Sequence, residues 1–502
     1  MIRNITTTIP KQFGGRTRLI LRRIKLIHEA MNIKQDILTT NYNIDYPDII
    51  SDLKESNELP ESIEHINIYD YYSGSKLFCK SPSFFFKLKS KFEKHSLTID
   101  GLTDKLDEKK HCVRYYRNID EKQLYVKYRK YDSKFNRIIF EDEFSVFTKK
   151  RIKRKEYDKN GRMHRITIYN PNNDFKLLDR LYDNESRLFC ERRYYKNNKI
   201  RGIILYKNDK VFKSFKGEKE FFIDFFNNVF NDGDIVFNDA RLLDRANFVQ
   251  TKDTKNVIVY HSTERDLNGE LKASYATSTK NESNVSKYIT STEMQKASLI
   301  NNYEIPEEKV NVISSYIDPV SQISYRDNSD IIYVGRLDEN KQVIDIIEAF
   351  DSIKDEIPEN CVLRIYGEGP NLESLKSQIK NLKLGKRVKF MGFANNLDEV
   401  YKTAKVSVLT SKFEGFALSI MESINYGCPV VAYDIEYGPN EIITQLETGV
   451  LIEKHNVKML ADTIKKIIND EITFENVQTD EKFTKESIQN RFIYLINELG
   501  GN

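Results

Sequence analysis

Residues 412–422 read Lys-Phe-Glu-Gly-Phe-Ala-Leu-Ser-Ile-Met-Glu, and this stretch decides the fold. An apolar strand candidate, 406–409, comes before it, and a helical pattern begins just after Gly415. A strand that passes through a short loop into a helix is the repeating unit of a parallel sheet covered by helices. The stretch therefore predicts an α/β domain that binds its ligands at the carboxyl ends of its strands.

The same alternation continues on both sides of this stretch. Strand candidates at 331–334, 362–366, 388–391, 406–409 and 430–433 alternate with helices as far as about residue 470. They predict a Rossmann-like domain over 326–484, followed by a segment, 485–502, whose helix at 485–499 we expect to cross back to the first domain.

An earlier set of elements predicts a second domain of the same kind. Residues 1–75 suggest a strand, a Gly-Gly loop and a helix, and a helix near 221–230 precedes strand candidates at 234–237, 257–260, 287–290 and 310–313. The first Rossmann-like domain is then split into 1–76 and 216–325. Between its halves, residues 77–215 form short alternating segments separated by polar turns such as 158–161 and 183–186, which predicts an antiparallel β-rich insertion.

Composition narrows the class of protein. The chain has 502 residues, of which 39% are hydrophobic and 31% charged, as expected for a folded protein of several domains. No stretch approaches the roughly 20 apolar residues of a membrane span, and the start lacks a signal-peptide core. We therefore expect a cytoplasmic protein, associated at most peripherally with the inner face of the membrane. The well-separated cysteines predict reduced core thiols and no metal site; they are Cys79, Cys112, Cys190, Cys361 and Cys428.

The positive charges are bunched although the net charge is only +4. One basic run lies within 16–25 and a second at 149–155. Each run is either a solvated face or a surface for a polyanion, reached by an attraction that salt weakens. The runs lack the interleaved aromatic residues of nucleic-acid-binding surfaces, so no nucleic-acid partner is expected.

Cationic groups are placed where a diphosphate would bind. Gly335 and Arg336 come directly after a predicted strand, and Lys341 lies where the next helix begins. An arginine fork, a lysine point charge and helix N-terminal amides all favour phosphate. The turn at 366–370, Tyr-Gly-Glu-Gly-Pro, follows the next strand and is by itself most simply a plain turn.

Two carboxylates and a set of amides complete the candidate site. Glu414 and Glu422 are eight positions apart, so both can reach a ligand that lies across the start of the helix. The amides of Phe416, Ala417 and Leu418 precede or open that helix and are suited to a diphosphate. Carboxylates repel an anion, so they are not expected to bind the diphosphate itself. They can instead accept hydrogen bonds from hydroxyl groups of the ligand.

In this order and spacing, Gly335-Arg336 with Lys341, the 366–369 turn and the Glu414–Glu422 pair resemble the retaining GT-B glycosyltransferases of family 4. The resemblance is strong over about 325–500. It implies that Arg336 and Lys341 neutralise the donor diphosphate, that Glu422 holds the ribose hydroxyls, and that Glu414 faces the transferred sugar.

The N-terminal half is similar to this family at two places. Residues 13–17, Phe-Gly-Gly-Arg-Thr, resemble its glycine loop, where Gly14 and Gly15 would let the backbone approach the donor. His261, after the predicted strand 257–260, corresponds to its active-site histidine, which contacts the transferred sugar. Many members of the family have a second histidine where this chain has Glu264.

The expected chemistry needs no cofactor. No Asp-x-Asp motif ends a predicted strand, so Arg336, Lys341 and helix amides are expected to stabilise the leaving group without a metal. The nucleotide sugar is then a substrate. No side chain is an evident nucleophile, and the resemblance implies attack on the face from which the phosphate departs, with that phosphate accepting the acceptor's proton.

The insertion resembles that of bacterial poly(glycerol-phosphate) α-glucosyltransferases and wall teichoic acid α-glycosyltransferases, and also that of protein-serine O-GlcNAc transferases. The leading expectation is transfer of glucose from UDP-glucose to glycerol-phosphate repeats. The resemblance also implies a homo-oligomer, with a trimer favoured. The alternatives are UDP-GlcNAc as donor, ribitol phosphate or an adhesin serine as acceptor, or a non-catalytic stabilising partner of a glycosyltransferase. The intact Arg336, Lys341, Glu414 and Glu422 argue against that last alternative.

Overall fold

The computed structural model of the protein describes residues 1–78, 97–119, 121–134, 136–266, 268–318, 320, 329–394, 396–475 and 477–500. Cys79, one of the predicted core thiols, lies outside these residues. By internal contacts the chain divides into two compact units, one formed by Met1–Phe13 with Lys34–Thr254 and the other by Gly14–Ile33 with Lys255–Asn502.

The strands in chain order are β1 (Ile2–Thr6), β2 (Gln35–Thr39), β3 (Glu64–Asn67), β4 (Thr103–Asp107), β5 (Cys112–Ile119), β6 (Lys122–Tyr131), β7 (Ile138–Phe144), β8 (Arg151–Tyr157), β9 (Met163–Tyr169), β10 (Lys176–Tyr182), β11 (Leu188–Tyr194), β12 (Ile200–Lys207), β13 (Lys210–Phe215), β14 (Ile235–Asn238), β15 (Lys255–Val259), β16 (Lys287–Thr290), β17 (Val310–Val312), β18 (Ile331–Val334), β19 (Leu363–Tyr366), β20 (Val388–Gly392), β21 (Val406–Leu409), β22 (Val430–Tyr433) and β23 (Gly449–Ile452).

The α-helices of the described residues are α1 (Gly15–Met31), α2 (Tyr46–Glu55), α3 (Ile68–Tyr72), α4 (Glu218–Val229), α5 (Asp244–Val249), α6 (Ala276–Lys280), α7 (Glu293–Tyr303), α8 (Val343–Ile353), α9 (Leu372–Asn381), α10 (Asp398–Thr403), α11 (Leu418–Asn425), α12 (Pro439–Ile442), α13 (Val457–Ile468) and α14 (Lys485–Glu498).

The first unit combines parallel strands with a large antiparallel sheet. β14, β1, β2 and β3 lie side by side and run parallel. Strands β4 to β13 form a ten-stranded antiparallel meander in which each strand pairs with its neighbours in sequence. The two parts share one core, because Ile5 and Val236 of the parallel strands and Leu205 of the meander cluster with the phenylalanines of α4. The predicted antiparallel insertion is confirmed.

The basic run at 149–155 is largely paired with acids on the adjacent strand. β7 and β8 place Glu141 opposite Lys155, Asp142 opposite Arg154 and Glu143 opposite Lys153. Arg154 donates to both oxygens of Asp142 at 2.7 Å. Opposite charges across a ladder stabilise a sheet, so this pairing accounts for much of the run without a polyanion.

The second unit contains two sets of parallel strands. β15, β16 and β17 pair in sequence, and a six-stranded sheet has the order β20-β19-β18-β21-β22-β23. Helices α8 and α13 pack on the six-stranded sheet around Ile346, Ile347 and Ile464. α14 lies against α1, where Gln489 donates to the Leu26 carbonyl at 3.4 Å.

The α/β alternation is confirmed, with small differences in bounds. α4 begins at Glu218 rather than 221, since Gly217 precedes it and two acids occupy its first turn. The sequence pattern did not predict β23, which is short and starts with a glycine, nor β3, whose polar residues break the apolar signal. The predicted domain bounds stay predictions.

Four predicted thiols lie among the described residues. Cys112, Cys190, Cys361 and Cys428 are buried, and none forms a disulfide. Burial raises the pKa of the Cys190 and Cys361 thiols to about 12, so both stay protonated at neutral pH.

Candidate active site

The predicted donor residues follow three adjacent strands of the six-stranded sheet. β19, β18 and β21 lie side by side and run parallel. Gly335 and Arg336 follow β18, Gly367 follows β19, and Glu414 lies on the loop between β21 and α11. All of these residues therefore lie at the carboxyl edge of one sheet, where open α/β folds bind ligands.

The glycines after β18 and β19 let two loops touch. A Cβ on Gly367, whose φ is +134°, would lie 1.8 Å from the Gly335 carbonyl oxygen. A Cβ on Gly369 would lie 2.3 Å from the Leu337 carbonyl oxygen. The 366–370 segment is thus more than a plain turn, because its glycines are required for its packing against the loop that carries Arg336.

Arg336 presents its guanidinium to solvent. Its side chain is 77% exposed and contacts Asp338 at 2.7 Å. Asp338 also accepts from the amides of Asn340 and Lys341, at 3.1 and 3.3 Å, which fixes the short turn that leads to α8. A guanidinium has five N–H donors, so Arg336 can bind an anion while it keeps this contact.

Lys341 and Glu414 form an ion pair that is mostly buried. The Lys341 ammonium donates to Oε1 of Glu414 at 2.5 Å, and the two side chains are 16% and 11% exposed. Ser411 Oγ donates to the same oxygen at 2.5 Å. The hydroxyl of Thr410 lies within hydrogen-bond distance of the carbonyl oxygens of Lys341 and Gln342, at 3.1 and 3.0 Å. Two loops far apart in sequence are thereby joined at one carboxylate.

Gly415 brings this loop against His261. A Cβ on Gly415 would lie 2.3 Å from the His261 carbonyl oxygen, so only glycine permits the contact. His261 follows β15 and is partly buried; Arg22, Ser315 and Tyr316 line a cavity with it. The predicted active-site histidine therefore lies next to the Glu414 loop.

The glycine loop lies beside the start of α11. Gly14 is the N-cap of α1 and Gly15 its first residue, and a Cβ on Gly15 would lie 3.3 Å from Leu418 Cδ1. α11 begins at Leu418, directly after Ala417 in the left-handed conformation with a φ of +62°. The first amides of a helix have no partner within it, so the predicted amides of Phe416, Ala417 and Leu418 are placed at a helix start.

Glu422 has a partner that the sequence analysis did not identify. Arg18, on α1, donates to Glu422 Oε1 at 2.5 Å, and the glutamate side chain is 13% exposed. Next to Arg18, burial lowers the pKa of Arg22, whose guanidinium donates to Ser315 and the Tyr316 carbonyl. The basic run at 16–25 pointed to these arginines as a group, but only the fold pairs Arg18 with Glu422. Ser411 was also missed, since a lone serine carries no signal.

The described residues offer neither a metal site nor a membrane-spanning helix. They contain no group of three or more histidine, cysteine, aspartate or glutamate side chains placed to hold a metal ion. Within the same residues, every helix is too short or too polar to cross a membrane.

Known sequences resemble this chain over part or nearly all of its length. Residues 318–489 match the family described as Glycosyl transferases group 1. A Bacillus subtilis protein named poly(glycerol-phosphate) alpha-glucosyltransferase is 23% identical over 99% of this chain and 74% of its own length. A Staphylococcus aureus poly(ribitol-phosphate) alpha-N-acetylglucosaminyltransferase is 25% identical over 96% of this chain and 97% of its own.

Solved structures share the fold over the whole chain. The S. aureus protein TarM, crystallised as a variant with fondaparinux, alpha-GlcNAc-glycerol and UDP, superposes with a TM-score of 0.83 at 22% identity, covering 99% of both chains. The pneumococcal O-GlcNAc transferase GtfA, solved with UDP and GlcNAc, gives 0.74 at 18% identity over 100% of this chain and 99% of its own. The predicted GT-B fold with an inserted antiparallel sheet is confirmed.

Proposed function

We propose that this chain, a glycosyltransferase with a group 1 domain on a GT-B fold, transfers a sugar in α linkage from a UDP-sugar to a teichoic acid polymer. The observation that carries the proposal is the Lys341–Glu414 pair, which lies at the carboxyl edge of the sheet together with Arg336. Two relatives that match nearly the whole of this chain are named for transfer to poly(glycerol phosphate) and to poly(ribitol phosphate). Both acceptors are alditol phosphate chains.

The charges of the site suit a departing diphosphate. Arg336 is exposed and can offer a bidentate fork, while Lys341, on the same segment between β18 and α8, adds a second positive charge. The helix start at Leu418 adds amide donors of the kind that bind phosphate. As the bond between the anomeric carbon and the β-phosphate oxygen breaks, these groups stabilise the negative charge that forms on that oxygen.

The carboxylates then recognise hydroxyl groups. Arg18 engages Oε1 of Glu422, and a carboxylate has about four acceptor positions, so Glu422 can also accept from the ribose hydroxyls. Glu414, oriented by Lys341 and Ser411, faces the transferred sugar together with His261. The acceptor oxygen attacks on the face from which the phosphate leaves, and its proton passes to the departing phosphate oxygen.

Glucose from UDP-glucose, added to glycerol-phosphate repeats, is our first choice of reaction. N-acetylglucosamine added to ribitol phosphate is the second candidate, favoured by the S. aureus relative, which covers nearly the whole of both chains. The two donor sugars differ at one substituent.

The proposal extends to assembly and location. β13 lies at one end of the ten-stranded sheet, and its Val211 and Phe212 are 63% and 60% exposed. An edge strand that exposes two large apolar side chains is suited to pairing with another chain, and we propose that the protein forms a homotrimer. We also propose that it acts at the inner face of the membrane. Light scattering of the purified protein tests the assembly, and a monomeric mass would contradict it.

The test of the activity is a matrix of substrates. Purified protein is incubated with UDP-glucose or UDP-N-acetylglucosamine and with glycerol- or ribitol-phosphate polymer. The masses of the products are measured by mass spectrometry. We expect one added hexose per modified glycerol-phosphate repeat, formed by wild type but not by Glu414→Gln. Addition of N-acetylglucosamine alone would select the second candidate, and no product in any combination would reject both.

A further inference from the structure

A fully buried carboxylate lies three residues beyond His261. Glu264 has a relative exposure of 0% and accepts from Gln295 Nε2 at 3.0 Å and Ser298 Oγ at 2.6 Å, both on α7. Arg265, whose Nε lies 3.8 Å from Oε1, supplies the nearby positive charge. Burying a carboxylate is costly unless it is well hydrogen-bonded, and these donors meet that requirement.

The third donor to Glu264 comes from a distant segment. The hydroxyl of Tyr437, a residue that is 1% exposed, donates to Oε1 of Glu264 at 2.9 Å. Burial and the adjacent carboxylate keep the pKa of this phenol well above its usual range, so the hydroxyl retains its proton. A hydrogen bond to a buried charged acceptor is stronger than a neutral one. Glu264 therefore anchors Tyr437.

Tyr437 in turn adjoins the main chain of Glu414. The Glu414 amide donates to the Glu436 carbonyl at 3.2 Å, and the Tyr437 amide reaches the Glu414 carbonyl at 3.5 Å. Packing continues at Gly438, where a Cβ would lie 2.5 Å from the Phe416 carbonyl oxygen. The backbone of Glu414 thus rests on the segment that Tyr437 holds.

A second contact fixes the same segment to the same helix. Glu441, on α12, accepts from the amides of Glu293 and Met294 at 2.9 Å each, at the start of α7. α7 therefore holds the 436–441 segment at two places, directly at its N-terminus and through Glu264.

We propose that Glu264 is a positioning residue for Glu414, which it reaches through Tyr437. The inference rests on the proposed function, because it assigns to Glu264 the task of placing a carboxylate that faces the transferred sugar. Misplacement of a reacting group by about 1 Å can reduce turnover about a hundredfold, so a rigid support for Glu414 affects catalysis more than it affects binding.

Two hydroxyl deletions separate this role from plain stabilisation. Tyr437→Phe and Ser298→Ala each remove one donor to the same oxygen of Glu264. Only Tyr437 belongs to the segment whose backbone is hydrogen-bonded to the backbone of Glu414. We expect Tyr437→Phe to lower kcat about tenfold or more with the donor KM within about twofold, and Ser298→Ala to leave kcat within about twofold. Glu264→Gln combined with Tyr437→Phe should lower kcat little further, since both act through one link.

A second readout does not require activity. Hydrogen–deuterium exchange of the peptide containing residues 412–416 should quicken in Tyr437→Phe and stay as in wild type in Ser298→Ala, because only the first change loosens the Glu414 amide. Equal effects of the two changes on kcat and on exchange, or no effect of Tyr437→Phe on either, would overturn the inference. An inactive wild type would reject the proposed function, and the exchange comparison would still decide whether Glu264 supports the Glu414 loop.

Discussion

The Lys341–Glu414 pair gives the sharpest test of the site. At 2.5 Å the attraction is about 7 kcal/mol for an effective dielectric constant of about 20, most of which offsets the cost of desolvation. Removing one partner costs about 3–5 kcal/mol in a fully buried pair and up to about 1 kcal/mol in an exposed one. Since these side chains are 16% and 11% exposed, we expect Lys341→Met and Glu414→Gln each to lower the unfolding free energy by about 2–3 kcal/mol.

The double variant separates stability from catalysis. Lys341→Met with Glu414→Gln leaves no unpaired charge, so it should regain most of the lost stability. Turnover should fall about 10²–10³-fold in each single variant and stay low in the double variant, because both groups are needed as the diphosphate departs. Initial rates at saturating donor and urea unfolding measure the two quantities.

A matched control lies on the same pair of loops. Glu339 is 85% exposed and pairs with Lys412 at 3.0 Å, so Glu339→Gln should change stability by less than about 1 kcal/mol and leave turnover unaltered. Single variants that keep turnover within about threefold of wild type would show that the pair has no catalytic role. A double variant that recovers turnover together with stability would show that the pair is purely structural.

Four further predictions concern metal dependence, pH dependence and, for the last two, the insertion. Turnover should persist in excess EDTA because protein cations and amides supply the positive field; a loss restored by Mg²⁺ or Mn²⁺ would contradict this. Burial lowers the pKa of His164 to about 4 in the folded state. Between pH 7 and 5 its imidazole therefore stays neutral in the folded protein, whereas in the unfolded chain, where the histidine pKa is about 6.5, it takes up a proton. Unfolding free energy should therefore fall by about 2 kcal/mol more between pH 7 and 5 in wild type than in His164→Phe, as measured in urea; equal falls would refute it. In the insertion, Lys149→Gln with Lys150→Gln should raise the KM for long polymer but not for a short glycerol-phosphate acceptor. Arg154→Gln should instead lower stability by about 1–3 kcal/mol, because it leaves the Asp142 carboxylate, 7% exposed, without its bidentate partner. A raised polymer KM in Arg154→Gln together with lowered stability in the lysine variant would contradict both expectations.

Local patterns in the sequence predicted the architecture because each depends on neighbouring residues. Alternation of polar and apolar positions identified the antiparallel insertion, and the helical pattern after the Gly-Gly loop identified α1, in which Ile20, Ile24 and Ile27 are buried. The placement of the candidate donor residues was predicted for a related reason. Arg336, Lys341, Glu414 and Glu422 lie at set distances from strand ends, so their placement on one edge of a sheet follows from chain order.

Pairings between distant segments were decided only by the tertiary structure. The sequence carried the charges of Arg18 and Glu422, yet nothing local indicated that α1 would bring one to the other. Likewise, in the sequence alone the basic run at 149–155 was compatible with a polyanion surface, whereas the structure shows acids of β7 opposite it. Charge type is a property of single residues, whereas its compensation depends on which strands and helices become neighbours. The same holds for Glu264, whose burial and link to Tyr437 exist only where the loop after β15, α7 and the 436–441 segment meet.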